Sequence, residues 1–148
     1  MQEFTRGTGA FKSDLEGIRS FSDTGYKTRD FDIPETIDYK PYLMPIRDQG
    51  NKPTCVAHTF SAIIEYQRSR TDGEYRYNSP MFVYNLRENK GDGMHGKDLE
   101  RIGSVYGICS ESSFPYISSN YNTRPPKSAF DDAKLTKMKD LLVLNTID

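Results

Sequence analysis

The stretch that most limits how this chain can fold is Pro45-Ile46-Arg47-Asp48-Gln49-Gly50-Asn51-Lys52-Pro53-Thr54-Cys55-Val56-Ala57-His58-Thr59-Phe60-Ser61-Ala62. Its first half is turn chemistry, Gln-Gly and then Asn-Lys-Pro-Thr, and its second half opens an amphipathic helix whose first residue is a cysteine. Thr54 stands at the N-cap position. Val56, Ala57, Phe60, Ile63, Ile64 and Gln67 recur at three- and four-residue spacing, so a helix from about Cys55 to Arg70 is expected to turn that side inward. A thiol at the N-terminal end of such a helix lies among backbone N–H groups without helical partners and at the positive end of the dipole. Both favour the thiolate. Gln49, six residues earlier, brings a side-chain amide donor back toward the same point. A nucleophile beside a donor for charge developing on a carbonyl oxygen is the pair that acyl transfer needs. The plainer readings are a small buried core thiol for Cys55 and a solvated loop side chain for Gln49.

The rest of the chain sets the frame around that stretch. At 148 residues it is long enough for one domain with a real core. Twenty basic residues against 21 acidic ones leave a formal charge of -1, which points to neither nucleic acid nor an anionic membrane as partner. No apolar run reaches the length of a membrane span, and Met1-Gln2-Glu3-Phe4-Thr5-Arg6 lacks the apolar core of a secretory signal. Two cysteines make no disulfide framework, so a cytoplasmic or other reducing compartment is expected. Ten tyrosines and eight phenylalanines supply apolar area to an otherwise polar chain.

Residues 1–32 read as a lead outside the core, an arm packed on the domain in preference to a linker or a short pro-segment, because Gly7, Gly9, Gly17 and Gly25 interrupt any period. From Ile33 to Pro45 the chain is expected to be extended or turning, since Pro34, Pro41 and Pro45 each push the preceding residue out of helical geometry. Ser79-Pro80 opens a short helix through Met81, Phe82, Tyr84 and Leu86. Arg87 to Gly96, with three glycines, reads as a loop lining a surface groove. A third helix is expected over about Lys97 to Tyr106, with Leu99, Ile102, Val105 and Tyr106 inward and Gly107 as its stop. Cys109 to Pro126 reads as loop and turn. Phe130 to Asp148 fits a helix through Leu135, Met138, Leu141 and Leu142, or a strand at Leu142-Val143-Leu144.

With these pieces in place the sequence resembles the papain-like cysteine peptidases. The matching residues are Pro45 and Gln49-Gly50, the Gln49 to Cys55 spacing, and Cys55-x-Ala57 leading into Phe60-Ser61-Ala62. Ile33-Pro34-Glu35-Thr36-Ile37-Asp38-Tyr39 looks like the opening of the family's mature enzyme. Gly91-Asp92-Gly93-Met94 and Tyr106-Gly107-Ile108-Cys109, followed by Phe114-Pro115-Tyr116, fall where the family carries its substrate strand and a Tyr-Gly-x…Pro-Tyr segment. The resemblance covers roughly Ile33 to Tyr116. It implies an α+β, mainly helical fold, the left domain of the papain-like architecture, over residues 33–148. It also implies a peptide or protein substrate, no cofactor, and a right β domain bearing the catalytic histidine and asparagine that is not represented in these residues. On that reading Cys55 is the nucleophile, Gln49 the oxyanion donor, and Asp92, Gly93 and Met94 hold substrate, Met94 as the wall of an apolar pocket. The sequence departs from the family at Val56, where tryptophan is usual, at Asp92, where glycine is usual, and at Lys52, where secreted members place a half-cystine.

His58, three residues past Cys55, lies beside or behind the sulfur on the helix, so a hydrogen-bonded, partly buried histidine is expected rather than a base. Cys55, His58, His95 and Cys109 form the ligand set of a structural zinc, but His95 and Cys109 are widely spaced, and the papain-like assignment of Cys55 is preferred; Cys109 is expected to be a buried structural thiol. The alternative to a peptidase is a non-catalytic binding or structural module on the same scaffold, to which the lack of a suitable histidine and Val56 in place of tryptophan both point.

Overall fold

Cys55–Thr71 form α1, the 17-residue helix around which the remaining elements are arranged. The computed structural model describes residues 9–12, 16–25 and 34–139. No glycine or proline interrupts α1, and it ends at Asp72, whose N–H reaches the Arg68 carbonyl at 2.9 Å, just before Gly73 at φ +67°. The buried stripe is Ala57, Phe60, Ser61, Ile64, Glu65, Arg68 and Ser69. This corrects the expected face: Ile63 is 47% exposed and Gln67 lies in solvent. Polar residues take the inward places because each finds a partner there. Ser61 Oγ donates to the Ala57 carbonyl (2.9 Å), Ser69 Oγ to the Tyr42 carbonyl (2.5 Å), and Arg68 to Asn78 Oδ1 (3.2 Å). Hydrophobic periodicity does not register such pairings.

The helix α2, Pro80–Asn85, starts as the Ser-Pro pair requires. Ser79 Oγ accepts from the Phe82 N–H at 3.0 Å and donates to the Phe114 carbonyl at 2.5 Å. Every residue from Pro80 to Tyr84 is buried. One core cluster joins Val83 and Tyr84 to Ala57, Phe60, Ile64, Met94, Ile102 and Ile108. Met81 and Phe82 face the other way, onto Cys109, Phe114, Ala129 and Ala133. Each large apolar side chain buried this way contributes about 1.5–3 kcal/mol.

The third helical segment is shorter and wider than its sequence suggests. Asp98–Arg101 (α3) is α-helical, and Ile102–Tyr106 then widens into a π turn, with the Gly107 N–H reaching the Ile102 carbonyl at 2.9 Å. The extra residue in the turn carries Val105 to the outside, 52% exposed, whereas Ile102 stays in the core. Gly107, at φ +80°, ends the turn where the backbone of Ala133 passes so close that a Cβ would lie 2.0 Å from its carbonyl oxygen. The helix α4, Lys127–Ala133, follows Pro126 and buries Ala129 and Ala133, and Lys134–Thr136 adds a 3₁₀ turn. The helix expected through Leu135 and Met138 is not continuous: Leu135 lies in the 3₁₀ turn, 80% exposed, the backbone becomes extended at Lys137 before Met138, and Leu141 to Leu144 lie outside the described residues.

Residues 34–54 form a strap beside α1. A 3₁₀ turn at Lys40–Tyr42 is pinned by the Lys40 N–H on Asp38 Oδ1 (2.9 Å), in keeping with the proline pattern. The strap is anchored by Arg47, which donates to the Asn78 carbonyl (2.8 Å) and to Glu65 Oε1 (2.7 Å) and lies over the Tyr77 ring. The single two-stranded sheet among the described residues pairs β1, Ala10–Phe11, in parallel with β2, Met94–His95. Ala10 and Phe11 of the arm therefore pair with the domain.

Candidate active site

The fold puts Cys55 at the first position of α1, half-buried, with Thr54 before it fully buried. Thr54 does not cap the helix by its side chain, contrary to the sequence expectation. Its hydroxyl is drawn away by Tyr116, 62 residues downstream, at 2.7 Å. Tyr116 OH donates in turn to the Gln49 carbonyl at 2.9 Å. With its proton committed there, the phenol accepts from Thr54 Oγ1, and Thr54 accepts from His58 Nδ1, which lies 3.1 Å from the Thr54 carbonyl and 3.2 Å from its hydroxyl. A continuous set of hydrogen bonds thus runs from His58 through Thr54 and Tyr116 to the loop that carries Gln49.

Gln49 is half-buried, and its Nε2 donates to the Lys52 carbonyl at 2.9 Å. The amide is held over the loop three residues ahead of Cys55. The Thr54 N–H closes the same loop on the Lys52 carbonyl at 2.9 Å, so that one oxygen gathers both the amide and the chain entering the helix.

His58 is the partly buried, hydrogen-bonded residue expected from its spacing. Its ring meets Tyr116 edge-on at 4.7 Å. Burial, with Arg47 adding to it, lowers its pKa below the usual histidine value of 6.5, and the Thr54 carbonyl offsets only part of this. The unfolded chain therefore binds the proton first as pH falls, so the contribution of neutral His58 to stability is present above about pH 6.5 and is lost on acidification below it. Chemical-denaturation midpoints measured between pH 7.5 and pH 5 should fall, and a His58→Gln variant should flatten that slope. An unchanged slope in the variant would remove His58 as the cause.

The second limb of the site is the glycine loop. Asp92 is exposed and its Oδ1 accepts from Tyr121 OH at 2.8 Å. Gly93, at φ +86°, donates its N–H to Tyr84 OH (3.1 Å) and accepts at its carbonyl from Asn89 Nδ2 (3.0 Å). Met94 is fully buried in the core cluster around α1, so its side chain forms part of the floor beneath the loop instead of an open pocket wall. Arg87, itself buried, fixes the loop from below. It donates to the Gly91 carbonyl (2.9 Å) and to Asn122 Oδ1 (2.8 Å) and stacks on Tyr84 at 3.7 Å from the ring centroid. Sequence reading missed Arg87, although an arginine between an apolar helix and a glycine loop is a signal worth testing. It also missed Tyr116, whose long-range role leaves no local trace.

His95 precedes α3 by three residues and does not cap it. It lies in β2, with its ring 5.0 Å from that of Phe11 and its Nδ1 3.3 Å from the Lys12 carbonyl. Cys109 is the buried structural thiol expected, fully enclosed, and burial together with the nearby Asp132 raises its pKa to about 12. Both cysteines are free. Among the described residues no three His, Cys, Asp or Glu side chains gather closely enough to hold a metal ion, and no helix is long and apolar enough to cross a membrane.

No family model matches the sequence. Cathepsin K of Mus musculus is 28% identical over 109 residues, 69% of this chain and 33% of that protein. Cathepsin K of Gallus gallus is 32% identical over 92 residues, 59% of this chain and 28% of that protein. The chain is related to the papain-like cysteine peptidases. Its fold agrees: xylellain, a cysteine protease from Xylella fastidiosa, superposes with a TM-score of 0.74 at 19% identity, over 95% of this chain and 59% of that one. Digestive procathepsin L 3 of Tenebrio molitor larval midgut gives 0.68 at 18% identity, over 91% of this chain and 41% of that one. The mainly helical arrangement around α1 is the left domain of the papain-like fold. The chain spans about a third of the length of the curated cathepsin relatives.

Proposed function

We propose that this chain supplies the nucleophile-bearing part of a papain-like cysteine endopeptidase. The observation that carries the proposal is Cys55, half-buried at the first position of a core helix, with the Gln49 amide held on the loop immediately before it. In the reaction the Cys55 sulfur attacks a peptide carbonyl carbon, the Gln49 amide and the Cys55 N–H take the oxyanion, and an imidazolium gives its proton to the departing amine. Water then releases the acyl group and restores the thiol. The imidazole comes from a second, β-rich domain, because His58 is committed to Thr54 and His95 is stacked on Phe11. The exposure of Thr59, Ile63 and Gln67 on α1, and of Ile46 on the strap, supports a face there for that domain. By itself the chain is expected to turn over peptides negligibly. Asp92 and Gly93, on the glycine loop, are the residues proposed to meet substrate main chain, and Met94, buried beneath them, supports that loop from the core.

Alkylation by iodoacetamide at pH 6–7 tests this. Cys109, with its pKa raised to about 12, should remain unlabelled in the folded protein, whereas Cys55 should react faster than a cysteine in a short peptide of neutral pKa. Peptide mapping by mass spectrometry reads both. A Cys55 rate at or below that of the free peptide would withdraw the nucleophile role. It would favour the second reading, a non-catalytic module on the same scaffold, to which the engagement of both histidines elsewhere also points.

A further inference from the structure

A cavity of about 290 Å³ lies between the first turn of α3 and the backbone turn at residues 16–18, and none of its walls belongs to α1 or to the loop before Cys55. Asp98, 2% exposed, forms its floor. The exposed Glu16, Glu88 and Glu100 stand around its mouth with Lys97 and Arg101, so four carboxylates face two cations. The two oxygens of Asp98 are unequally served. Oδ1 accepts from the Glu88 N–H at 3.3 Å and lies 3.6 Å from Arg101. Oδ2 is buried and has no hydrogen-bond partner among the described residues. Arg101 does not supply one, because its Nη2 donates to the Leu86 carbonyl at 2.7 Å and its Nε lies 3.3 Å from Glu88 Oε1. Buried carboxylate oxygens are ordinarily satisfied, so Oδ2 marks a place for a donor from outside the chain.

The chemistry of that donor follows from its surroundings. A neutral group would satisfy the lone pair and leave the excess negative charge of the walls uncompensated. A bare metal ion is unsuited, since these carboxylates do not gather closely enough to ligate one. A primary ammonium is a compact, strongly hydrated charge, whereas a guanidinium is planar, more weakly hydrated and spreads its charge over several N–H groups. We propose that this cavity binds a guanidinium group, with Asp98 Oδ2 accepting from one N–H edge and Glu100 holding the outer edge. A small guanidino compound and an arginine side chain of a partner protein carry the same recognisable chemistry. The site is independent of the reading of Cys55 and belongs equally to a peptidase or to a non-catalytic module.

Titration of the isotope-labelled full-length protein with methylguanidinium, followed by NMR at the Glu88 and Asp98 amides, tests the site. Saturation with a Kd of about millimolar or tighter is expected. Methylammonium should bind at least about fivefold more weakly. Asp98→Asn keeps an acceptor for the Glu88 N–H and puts a donor in place of Oδ2, so it should weaken methylguanidinium by about tenfold or more. Glu100→Gln, at an exposed position, should weaken it by about two- to threefold. Acetyl-arginine methylamide separates the two sources: binding as tight as that of methylguanidinium assigns the site to an arginine side chain, and weaker binding assigns it to a small free guanidine. No saturable shift up to about 10 mM methylguanidinium, equal binding of methylammonium, or an unchanged Kd in Asp98→Asn would overturn the proposal. Where Asp98→Asn does not fold, Glu100→Gln decides in its place, and an unchanged Kd there overturns the proposal equally.

Discussion

Replacing Glu65 with alanine is expected to lower the free energy of unfolding by about 3–5 kcal/mol. Glu65 is 4% exposed, and its Oε1 receives both Arg47 (2.7 Å) and the Asn78 N–H (2.8 Å). Removing it leaves a buried N–H without its acceptor and a guanidinium, on a side chain only 21% exposed, with the weaker Glu111 contact at 3.6 Å as its remaining carboxylate. Burial raises the pKa of both Glu65 and Glu111, so the pair is held against a desolvation cost. A double replacement, Arg47→Met with Glu65→Leu, should therefore recover part of the loss, since it removes both charges together. Urea denaturation with an unchanged slope measures this. A single-variant loss below about 1 kcal/mol would show that the strap is not anchored through this pair.

Gly107→Val is expected to cost about 3 kcal/mol or more, from the positive φ and from a side chain driven into the Ala133 carbonyl. Either the π turn straightens or α4 moves away from the cluster of Met81, Phe82 and Phe114 that it covers. Thermal unfolding should fall by roughly 10 °C. Gly50→Ala is the useful comparison. Gly50 also has a positive φ, +62°, but nothing lies within 4 Å of its Cβ position, so it isolates the backbone cost from the clash. Equal losses at the two positions would contradict the close approach as the cause.

How far the sequence could be read depended on the range of each determinant. The start and length of α1, the Ser79 cap and the buried Cys109 were legible because each is written within a few adjacent residues. The inward side of α1 was not, since Glu65 and Arg68 are buried by partners at Arg47 and Asn78 that no helical period reveals. Thr54 failed as a cap because a tyrosine 62 residues away uses its hydroxyl. The Ala10–Met94 pairing joins two two-residue strands 84 positions apart, too short for any alternation to show. The choice of Cys55 and Gln49 came from their order and spacing. What could not be read was how the amide is secured, through the Lys52 carbonyl.

Tyr116 gives that securing a further meaning. Its phenol joins the Gln49 carbonyl to the Thr54 hydroxyl, so the loop that carries the amide and the residue before the sulfur move together. In the proposed reaction an encounter with a carbonyl then need not first arrest two independent fluctuations, because that ordering entropy was spent when the chain folded.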